Sequence, residues 1–183
     1  MKEKFSLIVS EIDTALQKID ESQIEDLVQS ILQADTVFLT GVGRVLLSLQ
    51  AFSKRLTHLG IKAYFVGANN EPAFKPGDLL IVGSGSGCSI VPVAIAKKAK
   101  EFGGKVIHIG SNPRGDVSPY TDAMVRIPVQ TRLYLKDEIV SQQPMTSLFE
   151  QSLLVFLDAV SMEIIQRKKL DLKQLWQWHA NLE

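Results

Sequence analysis

Apolar residues recur along this chain with two different periods. Phe5, Ile8, Val9, Ile12, Leu16 and Ile19 fall three or four apart, the spacing of one helix face, and predict a helix over residues 5–16. After a break at Asp20-Glu21-Ser22 the spacing returns at Ile24, Leu27, Val28, Ile31 and Leu32 as a second helix. Ser22 and Glu25 have the separation of a capping box, so Ser22 is expected to cap that helix. The pattern then shortens to apolar runs bounded by glycines. Strands are predicted at 36–40, 62–66, 78–82, 105–109 and 123–129. Helices are predicted between them over 44–59, with Gly60 at its C-terminal cap, and over 89–102, with Pro92 tolerated in the first turn. A long helix follows from Pro144 or Met145 to about Lys168, and a last one over 171–179. Residues 67–77 and 130–143 read as irregular connections.

Strands alternating with helices predict an α/β fold, a parallel sheet with helices on both faces in three α/β/α layers. The two leading helices and the last one are additions to that core. No repeat, low-complexity run or linker divides residues 1–183, so one domain is expected. Ligands in such sheets sit at the carboxyl ends of strands, where the strand order reverses. Two glycine turns fall at such ends, Gly41-Val42-Gly43 after the first strand and Gly83-Ser84-Gly85-Ser86-Gly87-Cys88-Ser89 after the third.

The second turn is the stretch that organises the chain. Glycines allow close backbone approach, the helix start offers free N–H groups and positive potential, and three serines add hydroxyls. Such a cradle suits a phosphate monoester, and the plainer alternative is a tight serine-capped turn. Three other loops are excluded. No Gly-Lys-Ser/Thr ending makes it a P-loop, and no serine has glycines two before and two after it. Gly41-Val42-Gly43-Arg44-Val45-Leu46 lacks the third glycine of a dinucleotide fingerprint, and no acidic residue ends the strand at Val66-Gly67.

Twenty basic and twenty acidic residues leave no net charge, which gives nucleic acid no basic field to bind. The one cysteine, Cys88, cannot form an internal disulfide, and a reducing cytoplasm is the simplest setting. No run reaches the roughly 18 apolar residues of a membrane span, and the charged start Met1-Lys2-Glu3-Lys4 is no signal peptide. His58, His108 and His179 are too scattered for metal-ligand spacing. His58 reads as a helix-end residue, His108 as a sheet residue, and His179 on position alone as a surface or interface histidine. Trp176 and Trp178 read as packing residues of the tail.

Several segments, in order, carry a family resemblance: Gly41-Val42-Gly43-Arg44, Arg55-Leu56-Thr57-His58-Leu59-Gly60, Gly77-Asp78-Leu79-Leu80-Ile81, and the serine loop. Gln143-Pro144-Met145, Leu148-Phe149-Glu150-Gln151 and the terminal His179-Ala180-Asn181-Leu182-Glu183 complete it. The chain resembles the sugar isomerase (SIS) domain family, and within it the 6-phospho-3-hexuloisomerases of the ribulose monophosphate pathway. The resemblance implies a five-stranded flavodoxin-like sheet, a homotetramer, no metal or organic cofactor, and conversion of 3-hexulose 6-phosphate to fructose 6-phosphate. This chain departs from the pattern at Val45-Leu46, at Cys88-Ser89 and at Glu71-Pro72-Ala73, where relatives carry Ser-Gly, Glu-Thr and Thr-Pro-Ala.

Moving a carbonyl from C3 to C2 of a phosphosugar needs one base and one group that polarises oxygen. Glu150 is the expected base, since apolar neighbours at Leu148, Phe149, Leu153 and Leu154 would desolvate its carboxylate. The alternative is an ordinary acid at a helix start. Gly43 and Arg44, with Ser84, Gly85, Ser86, Gly87 and Ser89, are expected to bind substrate. The resemblance implies that His179 reaches a neighbouring subunit's site as a second catalytic residue, assisting ring opening or proton transfer. A non-catalytic phosphosugar-binding protein, or an isomerase of another phosphosugar, is the competing reading.

Overall fold

The computed structural model describes residues 1–182 of the chain. Five strands, β1 (Val37–Thr40), β2 (Ala63–Phe65), β3 (Leu79–Gly83), β4 (Lys105–Gly110) and β5 (Ala123–Arg126), form one parallel sheet in the order β2-β1-β3-β4-β5. The predicted 123–129 strand stops at Arg126, and residues 127–129 run on into a loop that bridges back from Val129 to Ile139. The expected α/β class and five-stranded parallel sheet are both present.

The alternation within each strand builds the layers. Val37, Leu39, Leu79, Ile81, Ile107 and Ile109 face one core, which α1 (Lys2–Leu16), α2 (Glu21–Gln33), α3 (Gly43–His58) and α5 (Ser147–Lys168) cover. Phe38, Leu80, Val82 and Val106 face the other, covered by α4 (Ile90–Glu101) and by Phe74 of the 67–77 connection. No helix among the described residues is long and apolar enough to cross a membrane.

Local signals explain most boundaries, with three corrections. Asp20, not Ser22, caps α2: its carboxylate accepts from the Ser22 amide at 2.8 Å because the helix starts two residues earlier than a Ser22 cap would place it, at Glu21. Glu25 is thereby released to pair with Arg167 of α5 at 2.6 Å. The long helix begins at Ser147 rather than Pro144 or Met145, since Met145 has φ 55° and breaks the helical path. The last predicted helix is only a 3₁₀ turn, Gln174–Trp178. Gly60 (φ 72°) ends α3 as its glycine predicts.

Candidate functional site

Helix α3 carries the chain from β1 outward to β2 on one side, and α4 carries it from β3 to β4 on the other. The strand order therefore reverses between β1 and β3, which pair directly with Thr40 opposite Val82. Both glycine turns leave the sheet at this point. They touch: a side-chain carbon built at Gly41 would lie 3.2 Å from the Gly83 carbonyl oxygen. Val45 packs inward. Its Cγ1 would meet a carbon added at Gly83 at 2.9 Å, so Val45 fills the corner between α3 and β3.

The serine loop is held from below and behind. The Ser84 hydroxyl accepts from the Gly87 amide at 3.1 Å and lies 3.3 Å from the Ser89 hydroxyl, and Ser86 Oγ accepts from the Cys88 amide at 3.3 Å. The Gly85 carbonyl takes the amides of Ser111 and Asn112, at 2.9 and 3.1 Å, and Asn112 Nδ2 donates to the Ser86 carbonyl at 3.0 Å. Among the described residues the amides of Gly85, Ser86 and Ser89 donate to no protein acceptor. A loop fixed through its carbonyls, with amides and hydroxyls left for an anion, is the arrangement a phosphate group needs. Cys88 is half-buried, its thiol turned to the Ser86 carbonyl at 3.3 Å.

Glu150 meets this loop through its neighbour. A carbon added at Gly85 would lie 3.5 Å from the ring of Phe149 and 3.2 Å from Thr131 Cγ2, so α5 starts against the loop. Glu150 lies in the first turn of α5 and is buried, as its apolar neighbours predict. Arg44 Nε donates to Glu150 Oε2, Thr146 Oγ1 donates to Oε1 at 3.2 Å, and Ser48 donates to the Glu150 carbonyl at 3.0 Å. Arg44 is mostly exposed, and its terminal nitrogens make no hydrogen bond among the described residues. A cleft of about 230 Å³ runs between Arg44, Leu47, Ser48, Ala51, Glu150 and Leu154. Gly43 opens α3 with φ 58° and nothing within 4 Å of where a side chain would start.

His179 is not brought to Glu150 within the chain. It stacks on His58, ring centroids 5.2 Å apart, beside Trp176. His58 ends α3 while Arg44 opens it. Fourteen residues at 1.5 Å each put about 21 Å of helix between the two. Glu71 turns its carboxylate back onto its own loop and accepts from the Gly67 amide at 2.9 Å.

Sequence reading missed the residues that support the loop. His108 reads from its alternation with Ile107 and Ile109 as an ordinary sheet residue, yet its Nε2 donates to the Ser84 carbonyl at 2.8 Å. Burial pushes its pKa down, and the bond to Ser84 only partly opposes that. Glu138 and Thr131, in the irregular 130–143 stretch, are buried behind Gly85. No signal in the sequence marks either, because Thr131 meets Gly85 and Glu138 meets Ser111 across more than twenty positions.

Known proteins share this architecture. The SIS domain family model matches residues 30–161. The chain is 35% identical to the 3-hexulose-6-phosphate isomerase of Bacillus subtilis over 176 residues, 96% of this chain and 95% of that one. It is 36% identical to the enzyme of the same name from Methanocaldococcus jannaschii over 162 residues, 88% of this chain and 85% of that one. A crystal structure of a Methanococcus jannaschii protein, from which a function of 3-hexulose-6-phosphate isomerase was inferred, superposes with a TM-score of 0.85 at 34% identity and covers 99% of both chains. The chain belongs to the SIS domain family, and within it to a group of isomerase enzymes.

Proposed function

We propose that this chain interconverts 3-hexulose 6-phosphate and fructose 6-phosphate through an enediol. The observation that carries the reading is the junction at Gly85, where the serine loop packs on Phe149, the residue before Glu150. That packing starts α5, which carries the buried Glu150, against the serine loop at the switch point of the sheet, and so supports the reading. The names of the relatives support this choice of sugar.

In this reading the phosphate sits on the free amides of Gly85 and Ser86 and on the hydroxyls of Ser84, Ser86 and Ser89, with Gly87 giving the turn its shape. Arg44, at the turn formed by Gly43, keeps Nε on Glu150 and offers its terminal nitrogens to sugar oxygens. Glu150 removes the proton from C2 of the hexulose to give the enediol and returns it to C3, while the hydroxyl proton passes from O2 to O3. One proton moves between neighbouring carbons and nothing is oxidised overall, so the step consumes no cofactor.

The reading includes a second copy of the chain. His179 reaches the site only from a neighbour, given its place at the far end of α3. Val42, Leu47, Ile90, Tyr134 and Met145 are exposed apolar residues on the segments that border the site, a surface suited to cover by another subunit. We take the assembly to be a homotetramer of single-domain chains acting in the cytoplasm, in the ribulose monophosphate pathway.

Proton NMR of fructose 6-phosphate with the protein in deuterium oxide tests the chemistry. Deuterium entering at C3 is expected. Exchange at C1 would mean an aldose–ketose isomerase, and no exchange with saturable binding would mean a phosphosugar-binding protein.

A further inference from the structure

The 130–143 segment is irregular yet closely held, and one carboxylate holds it. Glu138 is buried, with no ion pair among the described residues, and it accepts four hydrogen bonds. Oε1 takes the hydroxyls of Ser111 at 3.0 Å and Thr131 at 2.9 Å. Oε2 takes the amides of Thr131 at 3.1 Å and Leu135 at 2.9 Å. A buried charge without a cation is costly unless donors satisfy it, and here four do. The turn they close contains Tyr134 with φ 49°, a conformation that non-glycine residues hold only when their surroundings enforce it.

Two of the groups that Glu138 grips reach the serine loop from different sides. Ser111 donates its amide to the Gly85 carbonyl at 2.9 Å. Thr131 sets its methyl against the face of Gly85, 3.2 Å from where a side-chain carbon would stand, beside Phe149. We propose that Glu138 is a positioning residue for the phosphate cradle: its grip on Ser111 and Thr131 fixes the height and tilt of Gly85, and so the aim of the Gly85 and Ser86 amides. This rests on the phosphate-binding role proposed above. Glu138 itself touches no substrate.

The test is Glu138→Gln in the full chain. Glutamine keeps the volume and shape but has one accepting oxygen: turned to the Thr131 and Leu135 amides, it sets its NH2 against the Ser111 and Thr131 hydroxyls, which must reverse to accept and hold the two groups less tightly than a carboxylate does. The KM for fructose 6-phosphate should rise about tenfold, and inhibition by inorganic phosphate should weaken by the same factor. The kcat should change far less, because Glu150 and Arg44 are left alone. A purely structural residue would lower the melting temperature but leave the KM of the folded fraction at the wild-type value, and that result overturns the proposal. If Glu138→Gln does not fold, Thr131→Val removes one donor, and a smaller KM rise is expected, with an unchanged KM counting against it. Titration with inorganic phosphate alone separates the two ideas. Wild-type binding without turnover, weakened in the variant, would reject the isomerase and keep the positioning role. Turnover with the same KM in both proteins would do the reverse, and no phosphate binding by the wild type would reject both.

Discussion

The ring of His108, on β4, donates from Nε2 to the carbonyl oxygen of Ser84 across 2.8 Å, and so holds the serine loop from inside the sheet. A carbonyl only accepts, so a hydrogen sits on Nε2, and burial favours the neutral ring. His108→Phe keeps an aromatic ring and removes the donor, leaving the Ser84 carbonyl with only the Gly87 amide, at 3.2 Å. Stability should fall by about 0.5–1.5 kcal/mol in urea denaturation, with weaker fructose 6-phosphate binding. Wild-type stability in that variant would show the bond to be dispensable.

The same residue gives a pH dependence. Burial depresses the folded pKa of His108 below the ordinary value of about 6.5, so below 6.5 the unfolded chain takes up the proton first. Its contribution is complete above about pH 6.5 and is lost progressively as the pH falls from there toward the lower folded value. Urea midpoints between pH 7.5 and 5.5 should decline more steeply for the wild type than for His108→Phe, and parallel curves would contradict the assignment.

Glu150→Gln should abolish deuterium exchange at C3, by about a hundredfold to ten-thousandfold, with fructose 6-phosphate binding largely kept. Arg44→Lys loses the planar fork, and a lysine cannot hold Glu150 and a sugar oxygen together. Its KM should rise about tenfold. Exchange that survives Glu150→Gln would remove Glu150 from the chemistry.

Two glycines with similar backbones should respond differently to alanine. Gly43 (φ 58°) has open space around it, so Gly43→Ala carries only the left-handed penalty of about 1–2 kcal/mol. Gly87 (φ 68°) carries the same penalty and crowding as well, since the new carbon would stand 3.0 Å from Gly115 Cα and 3.3 Å from His108 Cε1. Gly87→Ala should therefore lose more stability and also lose phosphate affinity. Equal effects of the two changes in thermal melts and phosphate titration would refute this account.

If a neighbouring subunit supplies His179, mixed assemblies of Glu150→Gln and His179→Ala chains contain some sites with both residues intact. Isomerase activity should reappear on mixing and subunit exchange, from two preparations that are each impaired. Persistent loss of activity in verified mixed oligomers would place the function of His179 within its own chain, against His58.

Apolar spacing and glycine placement determined the five strands, the five α-helices and the two glycine turns, though not every boundary, because both act over a few residues and are written locally. The serine loop was legible for the same reason: its chemistry lies within seven consecutive positions. Glu150 was legible in part, since its apolar neighbours predict burial, but its contact with Arg44 spans 106 positions and no local pattern encodes it. Only the tertiary structure decided that Phe149 and Thr131 meet Gly85, that His108 turns from the sheet to the loop, and that Glu138 gathers four donors. It also decided that His179 lies beside His58 and far from Glu150. Those relationships arise when strands distant in sequence pack edge to edge and bring their carboxyl ends together, which is where this chain concentrates its polar groups.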